Sequence, residues 1–211
     1  MSFIRTRYEK AAISLVKNLN GRGFEAYYCA DKEQARLKAL SLIPEGDVVS
    51  FGGSASVDSV GIKEALYARG QKMIDRSAAK DRAEALQMQR QALLCDTYLM
   101  SSNAVSADGQ LVNIDGNGNR VAALCYGPRQ VIMFIGMNKV SPDLPSALSR
   151  ARSVAAPTNA QRFPLSTPCK ESGSCADCKC ADSICSQIVI TRLCREKGRI
   201  KIILIPEELG F

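Results

Sequence analysis

The chain has no histidine and no tryptophan, and aromatic residues make up only 6% of it. Without an imidazole, proton transfer near neutral pH falls to Asp, Glu, Lys, Tyr or Cys, and any metal must be held by thiolate or oxygen donors. The shortage of aromatics removes the stacking platform on which single-stranded nucleic acid is bound. An apolar run of roughly 18 residues, the length needed to span a bilayer, is also missing. The opening stretch "MSFIRTRYEKAAISLVKNL" is broken by Arg5, Arg7, Glu9 and Lys10, so it does not read as a signal peptide. It predicts instead an amphipathic helix with Ile4, Tyr8, Ala11, Ala12, Leu15, Val16 and Leu19 on one face. The expectation is a cytoplasmic chain, in a compartment where thiols stay reduced.

What the chain does have is 211 residues, 46% of them hydrophobic, which suits one domain with a sizeable core over 1–211. Its formal net charge is +7. The basic residues are spread along the sequence rather than gathered in a stripe, so the balance fits an anionic small molecule better than nucleic acid.

Strands and helices alternate. "FEAYYCA" (24–30), "VVSF" (48–51), "QKMID", "TYLMSS" (97–102) and "RQVIMFIG" (129–136) read as strands. Helices are predicted over 31–43 with Asp31 as N-cap, over 55–70 with a stop at Gly70, over 80–95, and over 143–156 with Pro157 as terminator. Two last strands follow, in "SQIVITRL" and "RIKIILI". The order predicts an α/β fold with a mostly parallel sheet and helices on its faces. The apolar runs around "DGNGN" predict a β-hairpin inserted in that pattern.

Two places carry candidate chemistry. In "SFGGSASVDSVG", Gly52, Gly53 and Ser54 stand between a strand and a helix N-terminus, where close backbone approach and free N–H groups suit an anion. The alternative is a tight turn with Ser54 as cap. Further on, Asn103, Asp108, Asp115, Asn119, Arg120, Asn138 and Lys139 lie in a polar stretch, mostly in turns where Asn and Asp satisfy backbone groups. "SSNAVS" and "GMNKV" follow apolar strands, the position at which parallel sheets gather ligands, and this suggests that Asn138 and Lys139 face the cleft of the glycine loop.

Five of the nine cysteines fall in "CKESGSCADCKCADSIC", residues 169–185. The pair Cys175-x₂-Cys178 can chelate one metal from a tight turn. The competing reading is a reduced or adventitiously oxidised loop. Cys178 and Cys180 would point in opposing directions in an extended segment. Cys29, Cys95, Cys125 and Cys194 lie in apolar runs and read as core fillers.

The runs "GGSASVDSVGIKEAL", "SSNAVSADGQLVNIDGNGNRVAALCYGP", "VIMFIGMNKV", "ALSRARSVAAPTNAQRF", the Pro-Cys segment and "ILIPEELGF", in this order, resemble the LUD-domain family, named for lactate utilisation. The resemblance implies a Rossmann-like fold of the NagB/RpiA/CoA-transferase group with a C-terminal cysteine-rich loop. It implies a role in oxidation of lactate or a similar small hydroxy acid, in company with other subunits of an iron–sulfur-dependent complex. Its pattern falls on Gly52, Gly53, Ser54, Asn103, Asp108, Asp115, Asn119, Arg120, Gly136, Asn138 and Lys139, with Ser101–Ser102 in place of a more usual Gly-Thr or Gly-Ser. For the metal it selects Cys169, Cys175, Cys178 and Cys185 and leaves out Cys180. The irregular spacing and the family's redox association favour a [4Fe–4S] cluster, with a structural zinc as the alternative in a metabolite-binding or transferase-like module. Asp108, Asp115 and Lys139 are the candidates for proton transfer.

Overall fold

The computed structural model describes residues 2–211. Helix α1 (Phe3–Gly21) leads into β1 (Glu25–Tyr28), α2 (Lys32–Leu42) and β2 (Val48–Phe51). Asp31 caps α2 as expected, its Oδ1 accepting from the Gln34 amide at 2.8 Å. The helix expected over 55–70 is divided at Gly61, which takes φ +70°, into α3 (Ala55–Val60) and α4 (Ile62–Ala68). Gly70, at φ +74°, closes α4, and the Gln71 amide donates back to Leu66 O. Then come β3 (Lys72–Ile74), α5 (Arg82–Gln91) and β4 (Thr97–Met100).

The hairpin of the middle region is displaced from its predicted place. It joins β5 (Ala104–Ser106) to β6 (Leu111–Asp115) through 107–110, and "DGNGN" instead connects β6 to α6 (Asn119–Cys125). The reason is Asp115, whose carboxylate accepts from the amides of Gly116, Arg120 and Val121 and so starts a helix. After β7 (Gln130–Gly136) and β8 (Val140–Ser141), α7 (Leu144–Arg150) passes through a π-helical turn at Ala151–Ala155 into α8 (Ala156–Ala160). Pro157 therefore does not end this helix. It sits early in α8, and the widened turn ahead of it makes room for the ring. Short α9 (Pro168–Ser172), β9 (Gln187–Thr191) and β10 (Ile200–Ile205) complete the order.

Six strands form one all-parallel sheet in the order β1-β10-β7-β4-β2-β3. Alternation along each strand feeds two cores. Val131, Met133 and Ile135 of β7 join Ala12, Leu15 and Leu19 of α1 on one face, while Ile132 and Phe134 join Ala35, Ala39, Val57 and Leu66 of α2–α4 on the other. Helices on both faces thus match the Rossmann-like expectation. In α1, however, Ile4 is exposed and Ala11 lies on the solvent side. A second, four-stranded sheet, β8-β5-β6-β9, lies beyond β4 and β7 in the chain and packs on α7 through Ala104, Val112, Ala147 and Ala151. Among the described residues no helix is long and apolar enough to cross a membrane.

Candidate functional site

The chain runs from β2 outward to β3 and then crosses to β4 on the other side, so the carboxyl ends of β2 and β4 mark a topological switch point. A cleft of about 520 Å³ opens there. Each strand end delivers part of its wall: Gly53, Ser54 and Ser56 after β2, Arg76 after β3, Ser101, Ser102 and Asn103 after β4, Lys139 after β7, and Phe211 beyond β10. The end of β6 adds Asp115, the start of α6 adds Asn119 and Arg120, and the segment after α8 adds Arg162 and Phe163.

Lys139 is 3% exposed. Its Nζ donates to Ser56 Oγ at 2.8 Å and to Ser101 Oγ at 3.0 Å. Burial, and then the nearby guanidinium groups of Arg150 and Arg120, bring its ammonium down from the ordinary 10.5 to about 7. Arg150 is fixed by two carbonyls, donating from Nε to Asn138 O at 3.0 Å and from Nη1 to Asn103 O at 2.7 Å. Among the described residues no carboxylate forms an ion pair with Lys139. In a chain without histidine, this amine titrates where an imidazole would.

Other residues of the sequence reading divide. Gly53, Ser54, Asn103, Asp115, Asn119, Arg120 and Lys139 share the cleft. Ser54 also caps α3, accepting from the Val57 amide. Asn103 is partly structural, its Oδ1 accepting from the Ile114 amide at 2.9 Å. Arg120 is held by Ile114 O at 2.6 Å and lies 3.7 Å from Asp115. Gly52 stands behind the wall: a Cβ there would come within 2.7 Å of Arg120 Cδ, so its lack of a side chain lets Arg120 pass.

Two more of the predicted site residues lie outside the cleft. Asp108 is in the β5–β6 hairpin and pairs with Arg22, outside the cleft. Its carboxyl is held below the usual range, first by the Ser106 hydroxyl. Asn138 does not face the cleft beside Lys139. Its amide clasps the C-terminal tail, donating to Gly210 O and accepting from the Leu209 amide, both at 3.1 Å. Arg76, Arg162 and Phe211 were missed. Arg76 follows the carboxyl end of a strand and could have been found from that alone; the other two arrive by folding back of distant chain.

The cysteine segment forms part of the cleft. Ile184 lines it, and Gly116 packs so closely on Ile184 that a Cβ would lie 3.2 Å from its Cα. Asp177, between Cys175 and Cys178, takes φ +51°. The Cys185 thiol is pushed up to about 11, first by desolvation and then by the thiols of Cys175, Cys169 and Cys178. The other three thiols therefore lie near enough to Cys185 to act on it, and as soft sulfur donors the four fit an iron–sulfur or zinc centre in number and kind. They are gathered rather than preset: among the described residues no three metal-ligating side chains already surround one point. The Cys180 thiol is raised by desolvation and then by the neighbouring Cys178 thiol. Cys29, Cys95 and Cys194 are buried, but Cys125 is exposed at the end of α6 and is not a core filler.

The family profile of the LUD domain matches residues 14–205. The chain belongs to the LUD-domain family. Membership suggests a part in lactate utilisation and nothing finer. A DUF162 family protein from Deinococcus radiodurans has a similar crystal structure, with a TM-score of 0.50 at 12% identity over 97% of this chain and 99% of that one. At that identity the likeness speaks for the LUD fold alone. The crystal structure of eIF2B delta from Chaetomium thermophilum overlaps 65% of this chain and 57% of its own, at 14% identity and a TM-score of 0.36. No curated protein matches in sequence.

Proposed function

We propose that this LUD protein is a component or accessory protein of a system that oxidises lactate or a similar small hydroxy acid. In this reading the cleft holds a small anionic metabolite, and Cys169, Cys175, Cys178 and Cys185 hold a [4Fe–4S] cluster beside it. The observation that carries the reading is the shared wall: Ile184, next to Cys185, lines the same cleft as Lys139. When bound, such a cluster supplies one-electron transfer.

The chain's own residues supply the rest. Arg76, Arg120 and Arg162 place three guanidinium groups around the cleft, enough to draw in and orient a carboxylate or phosphate. Phe163, Ile184 and Phe211 give the cleft an apolar side. Lys139, with its ammonium near its midpoint at neutral pH, holds or releases a proton at Nζ. Other subunits of a lactate-oxidising complex would exchange electrons with the exposed cysteine segment.

Iron, sulfide and zinc analysis of protein purified without oxygen tests this. The expected result is brown protein absorbing near ~400 nm, with iron and sulfide together. Serine at each of Cys169, Cys175, Cys178 and Cys185 removes the metal, while Cys180→Ser keeps it. Colourless protein with stoichiometric zinc contradicts the cluster and leaves a metabolite-binding module with a structural metal.

A further inference from the structure

The hydrogen bonds around Lys139 decide more than its affinity for an anion. Ser56 Oγ donates to Leu209 O at 3.0 Å, and Ser101 Oγ donates to Phe134 O at 2.7 Å. Each hydroxyl has one hydrogen, and both are committed to backbone carbonyls. Towards Lys139 they can only accept, and Nζ donates to both. A neutral amine satisfies this arrangement with its two N–H bonds and keeps its lone pair. An ammonium would carry a third N–H for which the described residues supply no acceptor in the amine's hydrogen-bonding shell. The charged groups acting on the amine are Arg120 from α6 and Arg150 from α7, and both oppose a further positive charge. The structure therefore presents an unpaired, nearly buried amine at the edge of an arginine-lined cleft.

We propose that Lys139 is a carbonyl-reactive amine that condenses with the aldehyde or ketone carbon of an anionic carbonyl compound in the cleft, forming an imine. The Nζ lone pair attacks the carbonyl carbon and a C–N bond forms, while the C=O π pair moves to oxygen, which takes up a proton. The resulting carbinolamine expels that oxygen as water, nitrogen gives up its hydrogens, and the C=N bond closes. One amine and one carbonyl give one imine and one water, with no change of oxidation state. A depressed lysine of this kind is a general route to an amine nucleophile. Arg76, Arg120 and Arg162 accept either a carboxylate or a phosphate, so 2-oxo acids and phosphorylated aldehydes or ketones share the required chemistry. The inference rests on the cleft holding an anion, as proposed above, and is independent of the cysteine site.

The test is reductive trapping on the full chain. Protein is incubated with cyanoborohydride and either pyruvate or dihydroxyacetone phosphate, and adducts are located by peptide mass mapping. The expected result is a saturable adduct on Lys139 at least tenfold above any other lysine, with one of the two probes. Its rate should rise through about pH 7, where this amine loses its proton, rather than near the ordinary lysine value of 10.5. Lys139→Met should abolish it while equilibrium dialysis with the same labelled probe still shows binding. Binding of pyruvate or dihydroxyacetone phosphate without an adduct overturns the imine and spares the anion site. Adducts spread evenly over the lysines also overturn the imine. Neither binding nor adduct with both probes overturns the imine together with the anion reading.

Discussion

The Lys139 cradle and the cysteine segment border one cleft, yet they owe their order to different sources. Lys139 is held by the ends of β2, β4 and β7, and the side chains of β4 and β7 are almost wholly buried on both faces. The segment 165–186 has a single short helix and mostly exposed side chains. Its ties to the body are few: Arg152 to Asp177, Gln161 Nε2 to Cys169 O at 3.1 Å, and Lys170 Nζ to Gln161 O at 2.9 Å. One region is fixed by packing before any ligand arrives. The other has donors but little apolar surface to bury, so a bound metal would contribute most of its local stability. The contrast explains how a polar amine without a counter-ion persists in the first region: a packed core can sustain an unfavourable group that a loosely held loop would release to water.

The largest expected effect belongs to that amine. The folded value of about 7 lies below the ordinary 10.5, so between them the unfolded chain carries one more proton than the folded one. Stability should therefore rise with pH across this window, and below it the full cost of burying the ammonium should be felt. Relative to Lys139→Met, whose side chain never titrates, the wild type should gain of the order of 4 to 5 kcal/mol between these limits. Urea unfolding of both proteins at several pH values checks this, because the remaining groups cancel in the difference. Parallel curves would show that the cradle does not depress the amine.

A smaller but structurally sharper effect is expected where the tail crosses the central strand. A Cβ on Gly136 would lie 2.6 Å from both the backbone N and the Cβ of Leu209. Gly136→Val should cost about 3 kcal/mol or more, since backbone must move to admit it. The midpoint of denaturant unfolding reads this, and a shift below about 1 kcal/mol would mean that the tail is not packed as described.

The smallest effect on stability should come from Gly53→Val. Here the nearest neighbour of an added Cβ is the flexible Arg76 guanidinium, at 2.8 Å. The fold should remain cooperative, with stability changed by less than about 1 kcal/mol, while affinity for a small anion falls at least tenfold. Unchanged binding in a folded variant would place the anion elsewhere.

Much of the fold was legible because buried parallel strands and capped helices leave local signatures. "RQVIMFIG" announced an inner strand, and Asp31 announced the start of a helix. The misplaced hairpin shows the limit of such signals. Turn residues say that the chain bends at "DGNGN", but only the capture of three amides by Asp115 decides that a helix follows. The site was half legible for a related reason. Asn and Asp serve backbone turns as readily as ligands, so Asp108 and Asn138 carried the same local signal as Asn103 and Asp115 while having other tasks. Lys139 stood out by its place after a strand, but its state depends on Ser56, Ser101, Arg120 and Arg150, four residues brought together by tertiary structure. Arg162 and Phe211 had no such local marker.

The claim that packing orders one wall of the cleft and metal orders the other is tested most directly by hydrogen–deuterium exchange on oxygen-protected protein before and after chelation. The account predicts that amides of 169–185 lose protection when the metal is removed, while those of β4, β7 and β10 exchange as slowly as before. Loss of protection in the sheet together with the segment, or no change in either, would contradict it.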